Sequence, residues 1–144
     1  VRSRGLGDVY KRQRYAGFSV AKPWLRVNPD HTEVNAAREL CDPDSVLNFF
    51  RRAVTLRKGH PDLVYGSFRL VAPDNPQVFA YLREGTGRNY LTVLNFSPKA
   101  ARFDPKTDLT EAMPLLHNYP APPIAEKEGL TELRPYEGIL YRLA

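Results

Sequence analysis

Apolar and polar positions follow two different periods along the chain, and the first predicts an amphipathic helix over residues 43–58. The apolar side chains of this stretch recur at spacings of three and four residues: Val46, Phe49, Phe50, Ala53, Val54 and Leu56. That spacing places them on one face of a helix. Asp42 is expected to cap the first turn, and Pro43 to follow it, where its missing N–H costs nothing. Gly59 is expected just beyond the end, and a shorter helix is expected over about residues 33–40.

Beyond residue 61 the period shortens to two, which predicts antiparallel strands. Residues 77–97 are expected to form a β-hairpin, because two runs of strand-forming residues flank the turn sequence GTGR. The segment DLVYGSFRLVAP, residues 62–73, also holds strand-forming residues, interrupted by Gly66. Further strands are expected over residues 101–104, 113–118 and 137–143. Since a helix comes first and strands follow, the pattern predicts two structural units with a boundary near residues 60–62.

Alternation also predicts which side chains share one face of a strand. Val78, Ala80 and Leu82 are expected on one face of the first hairpin strand. Ile139, Tyr141 and Leu143 are expected on one face of the last strand. Positions i and i+2 of a strand point to the same side, so the members of each set are expected to lie on one face.

The segment AGFSVAKPWLRVNPD, residues 16–30, has neither period and is predicted to be a loop. It is unusual for a loop in carrying Phe18, Trp24 and Leu25. Such a loop either packs back onto its own domain or lines a site for something else. Taken alone, Trp24 is better explained as a residue packed in a core than as a platform for a sugar ring.

The charge and composition of the chain argue against several classes of function. The net charge is +5, and the first 13 residues carry Arg2, Arg4, Lys11 and Arg12 against Asp8, so the other 131 residues carry only +2. A nearly neutral body gives no reason to expect nucleic acid as a partner. The longest apolar run is five residues, Val78 to Leu82, which predicts no membrane-spanning helix. A single cysteine, Cys41, and no secretion signal favour the cytoplasm.

No catalytic motif and no cofactor or metal site is predicted within the chain. The three histidines, His31, His60 and His117, are far apart in sequence and do not form a zinc pattern. Glu137 follows a proline turn and is expected to be a surface charge. No pair of carboxylates has a spacing that suggests acid and nucleophile on neighbouring elements.

Six segments in a fixed order carry a family resemblance that covers about residues 16–144. They are AGFSVAKPWLRVNPDHTEVN, DPDSVLNFFRRAVTLRKGHPDLVYGSF, PQVFAYLRE, LTVLNFS, LLHNY and LRPYEGILYRL. Together they closely resemble the C-terminal end of α-glucosidases of the oligo-1,6-glucosidase type, in the α-amylase superfamily of glycoside hydrolases.

The resemblance implies a fold of the α/β plus all-β class. Residues 14–61 are expected to be the last loop and helix of a catalytic (β/α)8 barrel, and residues 62–144 a C-terminal antiparallel β-sandwich. The loop then lies on the barrel face where such enzymes build their sites, so Phe18 and Trp24 are expected at the substrate rim. Residues 1–13 do not match the family and are expected to be foreign or disordered sequence, with a divergent natural tail as the alternative.

The resemblance also implies a function that this chain cannot carry out alone. The parent enzyme is expected to be a retaining glycosidase that acts on α-glucoside oligosaccharides, with its catalytic carboxylates on earlier barrel strands, ahead of residue 1. Two other readings stay open: a stand-alone carbohydrate-binding β-module, and a nucleic-acid binder that uses the arginines of the first 13 residues.

Overall fold

A computed structural model of the chain describes residue 15, residues 19–121 and residues 131–144. The chain divides into two compact units, residues 1–52 and 53–144. The first unit contains helix α1, Ala36–Cys41. Helix α2, Val46–Gly59, starts in this unit and ends in the second. Asn35 caps α1, because its Oδ1 accepts the backbone N–H of Arg38 at 3.1 Å.

Helix α2 starts three residues later than the pattern predicts, and Asp42 is not its N-cap. Asp42 instead ends α1, and its Oδ1 accepts the backbone N–H of Asp44 at 2.9 Å. An Asp side chain can satisfy the backbone of a turn as readily as that of a helix, so the DPD sequence is compatible with both. Gly59, expected beyond the helix, is its last residue.

Two oxygen acceptors bind the free N–H groups at the start of α2. The hydroxyl of Ser45 accepts the backbone N–H of Asn48 at 3.2 Å. The carboxylate of Glu39, on α1, accepts the backbone N–H of Leu47 at 3.0 Å. Both interactions satisfy donors that a helix leaves unpaired in its first turn. Ser45 is therefore the cap, and Glu39 joins the two helices.

Helix α3, Asp62–Tyr65, occupies the part of the DLVYGSF segment ahead of Gly66, although the segment holds strand-forming residues. Its turn is closed by the backbone N–H of Gly66, which donates to the carbonyl of Asp62 at 3.0 Å. A Cβ atom at Gly66 would lie 2.5 Å from that same carbonyl oxygen. The Asp62 side chain accepts the backbone N–H of Arg88 at 3.1 Å, so α3 is tied to the hairpin turn.

Seven strands follow in the described part of the second unit. They are β1 Ser67–Val71, β2 Val78–Glu84, β3 Asn89–Asn95, β4 Ala101–Phe103, β5 Met113–His117, β6 Thr131–Leu133 and β7 Gly138–Arg142. The hairpin expected over residues 77–97 is confirmed as β2 and β3, and the strands expected near residues 101, 113 and 137 are present. Strand β6 was not predicted.

The strands form two antiparallel sheets that share one core. The larger sheet has the order β1-β2-β3-β7-β5, and the smaller pairs β4 with β6. Phe103 on β4 and Leu133 on β6 belong to the same buried cluster as Leu91 and Ile139 on the larger sheet. The shared faces predicted from alternation are confirmed: Val78, Ala80, Leu82, Ile139 and Tyr141 are all buried, and Leu143 is partly buried against the same core. This is the predicted antiparallel β-sandwich.

Glu137 is not a surface charge: its exposed fraction is 0%. Its carboxylate accepts the backbone N–H of Arg134 at 2.7 Å and the Nε–H of the same residue at 3.0 Å, and Nη2 of Arg134 forms a salt bridge with it. The guanidinium of Arg134 also lies over the ring of Tyr119, 4.1 Å from its centre. A buried charge needs such a partner, and the turn between β6 and β7 supplies it three residues away.

The same burial affects the ionisation of Tyr141. Desolvation raises the pKa of the Tyr141 phenol from 10.0 to about 12, and the charge of Glu137 acts in the same direction. The folded chain therefore holds this proton more tightly than the unfolded chain. The stability that depends on the neutral phenol is fully present below pH 10 and is lost as the pH rises through about 12.

We expect Tyr141→Phe to lose less stability than the unmodified chain between pH 9 and about 12, because phenylalanine cannot ionise. Urea unfolding at several pH values measures this difference. The control is Tyr65→Phe, whose parent side chain is 86% exposed and should leave the pH dependence unchanged. If Tyr141→Phe and the unmodified chain lose the same amount of stability at alkaline pH, the phenol of Tyr141 is not the cause of that loss.

Candidate functional site

The candidate site is the loop ahead of α1, where the two predicted rim residues lie. Phe18 lies outside the residues that the structure describes. Trp24 is described, and its exposed fraction is 92%. The expectation that Trp24 packs in a core is therefore wrong within this chain. The role of the two residues at a substrate rim stays a prediction.

Local hydrogen bonds shape this loop even though it has no regular structure. The hydroxyl of Ser19 donates to the carbonyl of Ala21 at 2.7 Å and accepts the N–H of the same residue at 3.1 Å. Nδ1 of His31 lies 2.9 Å from the carbonyl of Asn28. The amide of Asn35 donates to the carbonyl of His31 at 3.1 Å. His31 is thus part of the loop's own framework.

Three apolar side chains in the described part of the loop are exposed to solvent. Val20, Trp24 and Leu25 are all exposed, and the cationic Lys22 and Arg26 beside them are exposed as well. An indole ring offers a flat apolar face that can pack against the C–H face of a sugar, and ammonium or guanidinium groups can donate hydrogen bonds to hydroxyls. The loop can therefore contact a sugar, but its described residues, 19–30, present no nucleophile and base in contact.

Catalytic and metal chemistry is not visible in the described part of the chain. Within residues 15, 19–121 and 131–144, no three His, Cys, Asp or Glu side chains form a group that could hold a metal ion. Glu137 is buried, but it is bound by Arg134 and faces the turn between β6 and β7. Among the same residues no helix is both long and apolar enough to cross a membrane.

Comparison with known families gives two matches that divide the chain. Residues 8–66 match the family described as alpha amylase, catalytic domain. Residues 68–140, about half of the chain, match the family described as maltogenic amylase, C-terminal domain. The chain belongs to the α-amylase family of glycoside hydrolases. The family resemblance expected from its six segments is thereby confirmed.

Curated members of the α-amylase family are similar over most of this chain. The probable oligo-1,6-glucosidase 2 of Bacillus subtilis is 42% identical over 130 residues, which is 89% of this chain and 23% of that protein. The oligo-1,6-glucosidase of Bacillus cereus is 35% identical over 135 residues, with 91% of this chain and 24% of that protein covered. The chain thus spans about a quarter of the length of the relatives it matches.

Solved structures in this family share the fold as well. The trehalulose synthase MutB of Pseudomonas mesoacidophila MX-45 matches with a TM-score of 0.80 and 37% identity, over 94% of this chain and 24% of that one. The trehalose-6-phosphate hydrolase of Bacillus licheniformis matches with a TM-score of 0.82 and 29% identity, over 94% of this chain and 25% of that one. The predicted fold class, the end of a (β/α)8 barrel followed by a β-sandwich, is confirmed.

Reasoning from the sequence missed the buried pair Arg134–Glu137 inside the LRPYEGILYRL segment of this α-amylase family chain. Opposite charges three residues apart around Pro135 were the available signal. A proline turn brings such residues close to each other, so the two side chains can meet without help from another strand. From the sequence, Glu137 is predicted instead to be a surface charge, and no partner is assigned to Arg134.

Proposed function

We propose that this chain is the C-terminal part of a retaining α-glucosidase that hydrolyses terminal α-glucosidic bonds of short oligosaccharides. The main support is the 42% identity over 130 residues to the probable oligo-1,6-glucosidase 2 of Bacillus subtilis. In this proposal residues 14–61 supply the last loop and helix of the catalytic barrel, and residues 62–144 supply the sandwich. Its partners are α-glucosides, and neither nucleic acid nor a membrane is involved.

The proposal assigns this chain a role in substrate binding and none in bond cleavage. Retaining glycosidases hold two carboxyl groups about 5 Å apart, one as nucleophile and the other as acid/base. In the proposed enzyme both belong to the part of the barrel ahead of residue 1. The loop with Phe18 and Trp24 lies at the rim of the pocket, where the exposed indole packs against a sugar ring. Cys41, which is exposed and free, fits the proposed cytoplasmic location.

A chimera tests the proposal directly. Residues 14–144 replace the matching quarter of the Bacillus subtilis relative, and glucose release from isomaltose and maltose is measured. We expect the chimera to hydrolyse at least one of these disaccharides and the isolated 144-residue chain to hydrolyse neither. The control is the Bacillus subtilis relative truncated where residues 14–144 would be joined. This truncated protein should be inactive or unfolded.

Two outcomes would overturn the proposal. One is a chimera that melts cooperatively yet lacks activity. The other is glucose release, or tight binding of an α-glucan in calorimetry, by the isolated chain; binding without cleavage would instead favour a carbohydrate-binding module.

The chimera also tests the rim assignment of the loop. We expect Trp24→Ala to raise KM for the disaccharide about tenfold, equivalent to about 1.4 kcal/mol, and to change kcat less. The control, Val20→Ala, removes a neighbouring exposed apolar side chain and should change KM little. Similar effects of the two substitutions would show that Trp24 makes no specific sugar contact.

A further inference from the structure

A tyrosine occupies a backbone position that normally belongs to glycine or asparagine. The turn between β6 and β7 is closed by the backbone N–H of Glu137, which donates to the carbonyl of Arg134 at 3.2 Å. Pro135 is the second residue of this turn, and Tyr136 is the third, with a φ of 53°. A proline followed by a residue of positive φ is the pattern of a type II turn, and a bulky side chain is strained at the third position. Glycine would form the same turn without strain, so the side chain of Tyr136 calls for a reason of its own.

The fold does not use the side chain of Tyr136 to hold this turn. The side chain is 60% exposed, and in the described part of the chain no hydrogen bond or ring contact involves its phenol. The backbone is held instead. The N–H of Tyr136 donates to the carbonyl of Ser97 at 3.1 Å, and its carbonyl accepts the amide N–H of Asn118 at 2.8 Å. The hydroxyl of Tyr119 donates to the carbonyl of Pro135 at 2.8 Å. Strain that the surroundings enforce in this way is typical of residues that contact a ligand.

The turn lies at the end of the sandwich opposite its junction with residues 8–66, the part that matches the α-amylase catalytic domain. Strand β1 begins at Ser67, which is in register with Glu84, the last residue of β2. Ser97, which accepts the N–H of Tyr136, lies beyond the far end of β3. Strands β2 and β3 have seven residues each. Strands of that length span about 20 Å, so the position of Tyr136 is distinct from the junction.

We propose that Tyr136 is a sugar-binding residue at a second site, where it stacks on one glucose ring of an α-linked oligosaccharide. The choice of ligand rests on the proposed function, whose substrates are α-glucosides. A phenol suits this ligand, because its ring packs against the C–H face of a sugar and its hydroxyl can donate to or accept from a sugar hydroxyl. The rigid turn lowers the conformational entropy that binding costs. Since the contact is a single aromatic ring, we expect a Kd on the order of 1 mM or above.

Nuclear magnetic resonance of the 144-residue chain with isotope-labelled tyrosine rings tests this inference without relying on activity. The probe is maltotetraose, and we expect the ring signal of Tyr136 to shift in a saturable way at millimolar concentrations. The matched control is Tyr65 on α3, which is 86% exposed and whose signal should not move. Equal shifts at Tyr65 and Tyr136, or no shift at Tyr136, would overturn the inference.

The variant Tyr136→Asn distinguishes a ligand-binding role from a structural one. Asparagine tolerates a positive φ, so we expect the urea midpoint of the variant to lie at or above that of the unmodified chain. Its affinity for maltotetraose should fall by about tenfold or more, because the stacking ring is gone. A variant that unfolds at a lower urea concentration would show that the fold needs the tyrosine side chain, which contradicts the inference.

The outcomes separate this inference from the proposed function. An active chimera, together with an isolated chain that does not bind maltotetraose, would overturn the inference and leave the proposed function intact. Millimolar binding at Tyr136, together with a folded but inactive chimera, would support the inference and overturn the proposed function. Micromolar binding that is lost in Tyr136→Asn would also support the site, and would favour the stand-alone module over the proposed function. If the Tyr136 signal shifts with protein concentration in the absence of sugar, a second copy covers the residue and the inference is wrong.

Discussion

Glu137→Gln is expected to lower the free energy of unfolding of the 144-residue chain by about 2–3 kcal/mol, the range for losing a buried charge-assisted pair. The substitution preserves the shape of the side chain and one oxygen acceptor for the backbone N–H of Arg134. It removes the charge that binds the guanidinium of Arg134. Because the Arg134 side chain is 38% exposed, water can solvate its charge once the partner is lost.

Arg134→Met is expected to destabilise the chain more than Glu137→Gln. It leaves the carboxylate of Glu137, with an exposed fraction of 0%, charged and without a cation. It also removes the cation that lies over the ring of Tyr119. An unpaired buried charge costs more than an unpaired charge that reaches solvent.

Urea unfolding of both single variants and of the double variant measures these effects. The double variant Arg134→Met, Glu137→Gln should be more stable than Arg134→Met alone, because no charge remains unpaired. The surface pair Arg102–Glu132 is a matched control, with side chains 70% and 47% exposed and atoms 3.5 Å apart. Glu132→Gln should change stability hardly at all. If Glu132→Gln and Glu137→Gln cost the same, the buried pair has no special role.

Phe103→Ala is expected to lower the free energy of unfolding by about 3–5 kcal/mol, the range for removing a large buried aromatic side chain. Phe103 lies on β4 and is only 1% exposed. It packs in the cluster that joins the two-stranded sheet to the five-stranded sheet. Its loss leaves a cavity between the sheets, and the smaller sheet has few other means of attachment because β4 and β6 have three residues each.

The comparison variant is Phe96→Ala, since Phe96 is 68% exposed in the same unit. It should cost less than about 1 kcal/mol, because little apolar surface leaves the core. Urea midpoints with an unchanged m-value would show that both variants still unfold as the parent does. If Phe96→Ala and Phe103→Ala lower the free energy of unfolding by similar amounts, the core does not lie between the two sheets.

Several features could be predicted from the sequence because short-range geometry decides them. The hairpin of β2 and β3 was predicted from alternation around GTGR, and the buried positions Val78, Ala80 and Leu82 follow from the same period. Helix α2 was predicted from spacings of three and four, although its start was placed three residues too early. Asp42 and Ser45 are both good caps, and the choice between them depends on Glu39, which reaches the first turn from α1.

Elements that depend on distant contacts were missed. Helix α3 was not predicted, because its four residues include the strand-forming Leu63, Val64 and Tyr65. The link from Asp62 to the hairpin turn is one of the contacts that hold it in place. Strand β6 has three residues and exists as the partner of β4. Such short pieces have no period of their own, so no local pattern could reveal them.

The sequence by itself determined the period of each segment, the order of helix before strands and the family to which the chain belongs. Those properties follow from backbone geometry and from motifs in a fixed order. Only the tertiary structure decided that Glu137 is buried, that Trp24 is exposed and that Phe68 and Leu70 on the outer face of the sheet are exposed. Burial depends on which atoms from elsewhere in the molecule surround a side chain, and no local pattern of residues contains that information.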